Sequence, residues 1–371
     1  MNLTEFDELL SFGDDTSTLM MLVWVLPLIL FVFYGQRIQL LITSYEIKKE
    51  IKKLNDFGVQ SIKETLAYVD KLPGADSLAK QNIESMIDYF VVPPQDMDTS
   101  GIVPKVRAVL WNKESYTRNR IETILSQANE VERARVQTLL EISSTLKMIH
   151  KVVSHLYLTA KKQKNYPLIL PLQMELPFVM EQAEALRDGM TAFTEGQPVG
   201  DGIGPAVVGY MMCNIPHKPI SYKMIYAESE IEGRRTILLK PKGPEPVTGK
   251  PDEALKSIIK QYDIDVIIMV DAALKMEGEE SGSVYRGFGA AIGGSGVERF
   301  GIEEIATKNN IPIFCVVIKQ SIKESISLMT DTIYKSIPVS IRHIQDTIVE
   351  NTSQDDTVLV IGVGNTGGVA Q

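Results

Sequence analysis

A strand and a glycine loop at the end of this chain restrict the fold of its last third more than any other feature. Thr357-Val-Leu-Val-Ile361 is an unbroken β-branched and leucine run, the pattern of a parallel strand buried on both faces. Gly362-Val-Gly-Asn-Thr-Gly-Gly368 follows it. In a dinucleotide-binding fold such a loop opens a helix whose N-terminus takes the pyrophosphate. Here only Val369, Ala370 and Gln371 remain, so the loop lacks a helix of its own. The expected solution is that it docks beside Gly200-Asp-Gly-Ile-Gly-Pro205. The helical pattern Ala206–Met212 then supplies the missing half, and Asn365 comes to lie near Asp201.

Strand and helix patterns alternate upstream of that loop. A hairpin is predicted over Ile220–Glu230 and Arg235–Lys240, turning at Glu232-Gly233. A Pro/Gly loop, Lys240–Lys250, leads to a helix at Pro251–Tyr262 and a strand at Asp265–Asp271. A glycine-rich loop at Gly287–Gly296, a helix at Ile302–Lys308, a strand at Ile311–Ile318 and a long helix at Ile322–Glu350 complete the run. This order predicts an α/β domain over residues 198–371, three-layer αβα with a mainly parallel sheet. In such sheets ligands bind at the carboxyl ends of the strands.

Residues 36–197 read as a helical region. Ile38–Leu72 is amphipathic with a Lys/Glu-rich face, and Pro93–Gly101 breaks the pattern with turn residues and the acids Asp96 and Asp98. Long helical patterns follow over Lys113–Lys162 and Leu168–Phe193. His150 and His155 are five apart, so they do not share a helix face as a metal pair would. A bundle of this kind predicts a homo-oligomer formed through the helical region.

Residues 18–35 contain no charge, and LMMLVWVLPLILFVFY at 19–34 approaches the length of a bilayer span. A single transmembrane helix is the expectation. The acidic segment 1–17 would stand outside, and the bulk of the chain, preceded by Arg37, Lys48 and Lys49, in the cytoplasm. A net charge of −9 disfavours nucleic acid as a partner, because phosphate neutralisation needs a basic face. Cys213 and Cys315 have no ligand spacing and are expected to be buried thiols.

Three features fall where strand ends should meet. They are Asp201 within Gly200–Pro205, Asp271 closing the strand Val266–Val270, and the glycine loop with Glu298, Glu303 and Glu304 after it. Asp201, Asp271 and Glu298 are the candidate ligands of a divalent metal ion. Gly362, Gly364, Asn365, Gly287, Gly289, Gly293 and Gly294 are the candidate cofactor contacts, through backbone amides that could cradle a phosphate. Each acid also has a plainer reading, as a turn or helix-capping residue or as a favourable charge in a first helical turn. No Walker lysine follows either glycine loop, and Lys250 in Thr248-Gly-Lys lacks the preceding glycine pattern.

PPQDMD at 93–98, GDGIGP at 200–205 and GGSGVERFGIEEIATKNNIP at 293–312 carry a resemblance. Over most of its length the chain resembles a family of archaeal single-pass membrane proteins known only as a domain of unknown function. Its last third is similar to the hydrogenase-maturation and spore-germination protease fold, circularly permuted. There Gly362-Val-Gly-Asn365 resembles the opening loop, Asp201 the acid before Gly-x-Gly, and Asp271 the later aspartate. The maturation enzymes continue to a His ligand. The stretch Gly296–Glu304 has none, and Glu298 is the residue that would stand in. The resemblance implies a metal-dependent, peptidase-like hydrolase acting on a small-molecule or peptide ligand. A nucleotide- or phosphate-binding regulatory module and a non-catalytic membrane scaffold are the alternatives.

Overall fold

The computed structural model describes residues 15–92, 101–163, 169–294 and 296–371, and before residue 42 only the side chains of Trp24 and Val25. The acidic segment 1–14 and the turn with Asp96 and Asp98 lie outside the described residues. Among the described residues the N-terminal half has five helices: α1 (Asp15–Val69), α2 (Ser77–Met86), α3 (Ile102–Ile124), α4 (Glu130–Lys162) and α5 (Ile169–Glu195). Among the described residues no helix is long and apolar enough to cross a membrane, which overturns the expected span over 18–35. That expectation rested on charge-free length alone. The uncharged run is the opening part of one 55-residue helix that continues without a break into Tyr45-Glu-Ile-Lys-Lys-Glu.

The chain divides into two compact units, one of residues up to Lys53 with His150–Phe178, the other of Leu54–Ile149 with Val179–Gln371. In the first, Ser44 and the Tyr157 hydroxyl share a hydrogen bond of 2.8 Å, and Thr43 donates to Gln173 at 3.3 Å. In the second, Val69, Ile83, Ile121, Leu125 and Val136 pack as one apolar cluster. The pattern predicted as a single helix over Lys113–Lys162 is two helices, α3 and α4. The reason is local: Asn129 caps α4 by accepting from Glu132 N at 2.9 Å, while Glu132 accepts from Asn129 N at 2.8 Å.

The C-terminal domain begins with a 3-10 turn at Gly200–Gly202 and α6 (Ile203–Met211). Then come β1 (His217–Ser221), β2 (Met224–Ile231), β3 (Arg234–Pro241), α7 (Pro251–Ile258), β4 (Val266–Leu274) and β5 (Val284–Phe288). The remaining elements are α8 (Val297–Lys308), β6 (Ile313–Gln320), α9 (Ile322–Ile326), α10 (Asp331–Tyr334), α11 (Ile337–Asn351) and β7 (Thr357–Gly362). The sheet runs β1-β2-β3-β7-β4-β6-β5. Its four central strands are parallel, but β1/β2, β2/β3 and β5/β6 pair antiparallel, so the sheet is mixed and not mainly parallel. Tight turns set the β1/β2 and β2/β3 pairs. Glu232 (φ 50°) and Gly233 (φ 75°) form a two-residue turn that admits only an antiparallel hairpin.

Helices cover both faces. Val358 and Val360 of β7 join one apolar core with Val207 and Val208 of α6 and Ile344 and Ile348 of α11. Leu359 and Ile361 face the other, with Leu255 and Ile258 of α7 and Ile302 of α8. The long helix expected over Ile322–Glu350 is three helices, because the backbone turns extended at Ser327, Thr330 caps α10, and Pro338 sits in the first turn of α11. Gly287 belongs to the edge strand β5 and not to a loop. Cys213 is exposed, in the turn that leaves α6, and Cys315 is half-buried, so the pair is less enclosed than composition implied.

Lys240, at the end of β3, is completely buried, and its ammonium donates to the Lys242 carbonyl at 3.3 Å. Burial lowers its pKa from 10.5 to about 8. A base whose folded-state pKa is depressed destabilises the fold below that value, and the penalty is relieved as pH rises from about 8 to 10.5. Lys240→Met is therefore expected to stabilise the protein by about 1–2 kcal/mol at pH 7. It should also abolish the rise in denaturation midpoint between those two pH values. A variant less stable than wild type at pH 7 would show the ammonium to be a net stabiliser.

Candidate functional site

The two glycine segments meet backbone to backbone at the ends of β4 and β7. Val363 N donates to Val270 O at 2.9 Å, continuing the β4/β7 pairing by one bond. Asn365 N donates to Asp201 Oδ2 at 2.8 Å, and Gly367 N returns to Asn365 Oδ1 at 2.8 Å, closing the loop on itself. A Cβ on Gly204 would stand 2.3 Å from Val363 O and 2.4 Å from Val270 O. One on Gly364, whose φ is +133°, would stand 2.0 Å from Asp201 O. The glycines at this seam let two backbones approach within the width of a side chain. α6 leaves from the seam, so a helix from earlier in the chain packs against the end of β7.

Asp271 projects from β4 one residue past Val270, the last β4 residue paired with β7. It is 6% exposed, and its Oδ1 accepts from Ala272 N at 2.8 Å. The Gly293 amide also donates to it. Burial pushes the Asp271 carboxyl well above the usual range, and the neighbouring Asp201 raises it further. Burial raises Asp201 as well, against the hydrogen bond from Asn365 N. No basic side chain contributes to either shift.

Both carboxyls line a cleft of about 600 Å³. It is lined by Asp201, Asp271, Gly293, Gly294 and Val363–Asn365, by residues of α3 and α4, and by Tyr222, Lys223 and the loop Pro246–Pro251. Seven described lining residues are acidic and five are basic. Lys223 bridges Glu245 at 2.7 Å and Glu130, Lys250 bridges Glu114 at 3.3 Å and Glu298 at 3.7 Å, and Arg133 reaches Glu122 at 3.7 Å.

Of the residues singled out from sequence, Asp201, Asp271, Gly293, Gly294, Gly364, Asn365 and Glu298 all border this cleft. Gly362 lies just behind it, against Gly204 O. Gly287 and Gly289 are not among the lining residues, since the edge strand β5 carries them away from the ends of β4 and β7. Glu298 stands apart from the aspartates: it pairs with Lys250 and raises the carboxyl of Asp252, but contributes to neither Asp201 nor Asp271. Among the described residues no group of three His, Cys, Asp or Glu side chains is placed to hold a metal ion. Asp201 and Asp271 are thus electrostatic neighbours, while Glu298 borders the same cleft and pairs with Lys250.

Two family models cover nearly the whole chain. Residues 21–196 match the N-terminal domain, and residues 199–370 the C-terminal domain, of the proteins of unknown function designated DUF1512. The chain belongs to the DUF1512 family. The curated proteins contain no match. The junction between the two DUF1512 domains falls beside Gly196 (φ +70°), where a Cβ would stand 1.8 Å from an Arg135 guanidinium nitrogen. The cleft draws on both DUF1512 domains, with the aspartates from the C-terminal one and the facing wall from the N-terminal one. That wall was missed from sequence. Lys223, Glu130, Arg118 and Tyr222 belong to no motif, and Lys250 was weighed only as a Walker remnant.

Proposed function

We propose that the cleft is the active site of a hydrolase in which Asp201 and Asp271 handle the proton of an attacking water. The observation that supports it is the convergence of a buried carboxyl, Asp271, and a partly buried one, Asp201, at the carboxyl ends of β4 and β7, each with a backbone amide donor and, among the described residues, neither with a basic partner. Two such acids do not both ionise readily. One stays protonated beside a carboxylate, which separates an acid from a base within a single site. The carboxylate takes a proton from water as its oxygen bonds to an acyl carbon. The protonated partner then gives its proton to the departing nitrogen as the C–N bond breaks.

A hard divalent cation also suits this donor set, since magnesium-type sites use one or two protein carboxylates and fill the remaining positions with water. Asp201 and Asp271 would hold it, and it would supply positive charge beside the attacking water. The phosphate-cradle alternative has less behind it. Gly362 and Gly364 pack against other backbone, and acids outnumber bases around the cleft.

The test uses the full-length chain on amide, ester and phosphoester substrates, with and without Mg²⁺ or Mn²⁺. Amide hydrolysis is expected, falling about 10²–10⁴-fold in Asp201→Asn and in Asp271→Asn. No turnover of any amide, or wild-type turnover in Asp271→Asn, overturns the proposal. Metal analysis of the same three proteins decides whether a cation takes part.

A further inference from the structure

Away from the aspartates, the cleft wall holds a second arrangement. Lys250 Nζ lies 5.0 Å from the centre of the Trp111 ring, 3.3 Å from Glu114 Oε2 and 3.7 Å from Glu298 Oε1. Its side chain is 15% exposed. Arg118 stands beside it, with its guanidinium 5.7 Å from the Trp111 ring and 4.7 Å from that of Tyr222, and it donates to the Tyr222 hydroxyl at 2.7 Å. The two rings meet edge to face at 5.8 Å. An aromatic face flanked by carboxylates is the chemistry that recognises an ammonium or guanidinium ion. Here the chain's own ammonium fills that place.

A smaller cavity of about 340 Å³ adjoins it, lined by Trp111, Phe300, Asp252 and Glu298, and both Lys250 and Glu298 border the two cavities. Acids outnumber bases there as well, four to two, with Lys250 one of the two. The ion pairs holding Lys250 are longer than the roughly 2.7–2.9 Å of a strong charge-assisted hydrogen bond, so a cation of better fit can exchange for it.

We infer that Trp111, Glu114 and Glu298 form a recognition subsite for a positively charged amine or guanidine on the ligand, and that Lys250 occupies this subsite until such a group displaces it. Resting on the hydrolase reading above, this names the substrate class: an amide or peptide carrying a basic side chain near the bond that is cut. A phosphate-bearing ligand would instead meet an excess of carboxylates at both cavities.

The experiment exploits the two tryptophans of the chain, Trp24 and Trp111. In full-length protein carrying Trp24→Phe, the emission of Trp111 is followed during titration with Nα-acetyl-lysinamide, Nα-acetyl-argininamide and neutral Nα-acetyl-glutaminamide. Saturable changes are expected with the two cations, at affinities about tenfold or more above the neutral amide. Lys250→Met, which removes the competing ammonium and keeps the bulk, should tighten cation binding about fivefold. Glu298→Gln and Glu114→Gln should each weaken it by a similar factor. Equal binding of all three amides, or Lys250→Met binding the cations more weakly while melting like wild type, overturns the inference. Asp271→Asn separates the two proposals, since it should lose turnover and keep cation binding. Discrimination among the amides without any turnover would sink the hydrolase reading alone.

Discussion

Gly364→Ala is expected to leave the C-terminal domain unfolded or insoluble, a loss above about 4 kcal/mol. Two effects combine at this position. The backbone has φ +133°, which an L side chain rarely adopts, and a Cβ would fall 2.0 Å from the Asp201 carbonyl oxygen. The obstructing atom is backbone inside a turn that Asn365 N already holds, so it has nowhere to retreat. Gly204→Ala meets two backbone oxygens, at 2.3 and 2.4 Å, and should behave alike. Gly293→Ala is the control: nothing lies within 4 Å of its Cβ position, and its stability should stay within about 1 kcal/mol of wild type. Urea denaturation followed by circular dichroism compares all three. A wild-type midpoint for Gly364→Ala would mean the seam is not as described.

Asp271→Asn should move stability the opposite way. Burial and Asp201 raise the carboxyl of Asp271 well above its ordinary 3.8. An acid with a raised folded-state pKa stabilises the fold while protonated, below its unfolded value, and that contribution is lost as pH rises through the folded value. At pH 7 the wild type therefore carries any ionised form against a penalty that asparagine removes. The amide oxygen can still accept from Ala272 N, the bond now made by Oδ1. A gain of about 0.5–2 kcal/mol is expected at pH 7, shrinking towards zero in acid, alongside the loss of turnover. Calorimetry at pH 4 and pH 7 reads both ends. A variant destabilised at pH 7 would indicate that the ionised carboxylate is held by something that stabilises it.

Sequence carried the α/β half a long way. The β2/β3 hairpin, the strands β4, β6 and β7, and the meeting of Asn365 with Asp201 were legible because periodicity and glycine spacing are local and strong. The errors have physical causes. The run Ile322–Glu350 contains a Thr330 cap and Pro338, both signals of a new helix start, and α3 is separated from α4 by Asn129 with Glu132 three residues on. Sheet direction was misjudged because the edge strands β1 and β5 are short and largely exposed, with little hydrophobic signal. Charge-free length over 18–35 marks an apolar run, not the bounds of the 55-residue helix that contains it. The facing wall of the cleft was illegible for a different reason. Glu114, Glu130 and Lys250 come together only through tertiary packing, which no spacing encodes.

The position of β7 bears on how the molecule is made. It lies between β3 and β4, strands that are only some 25 residues apart in the chain, while β7 itself follows β4 by more than 80. Until residue 357 is made, β1-β2-β3 and β4-β6-β5 have no strand to join them. Asp201 receives its amide donor only after that strand has threaded between them. A chain ending before residue 357 would lack both the strand that joins β3 to β4 and the amide donor to Asp201, leaving two strand edges open to pairing with other chains.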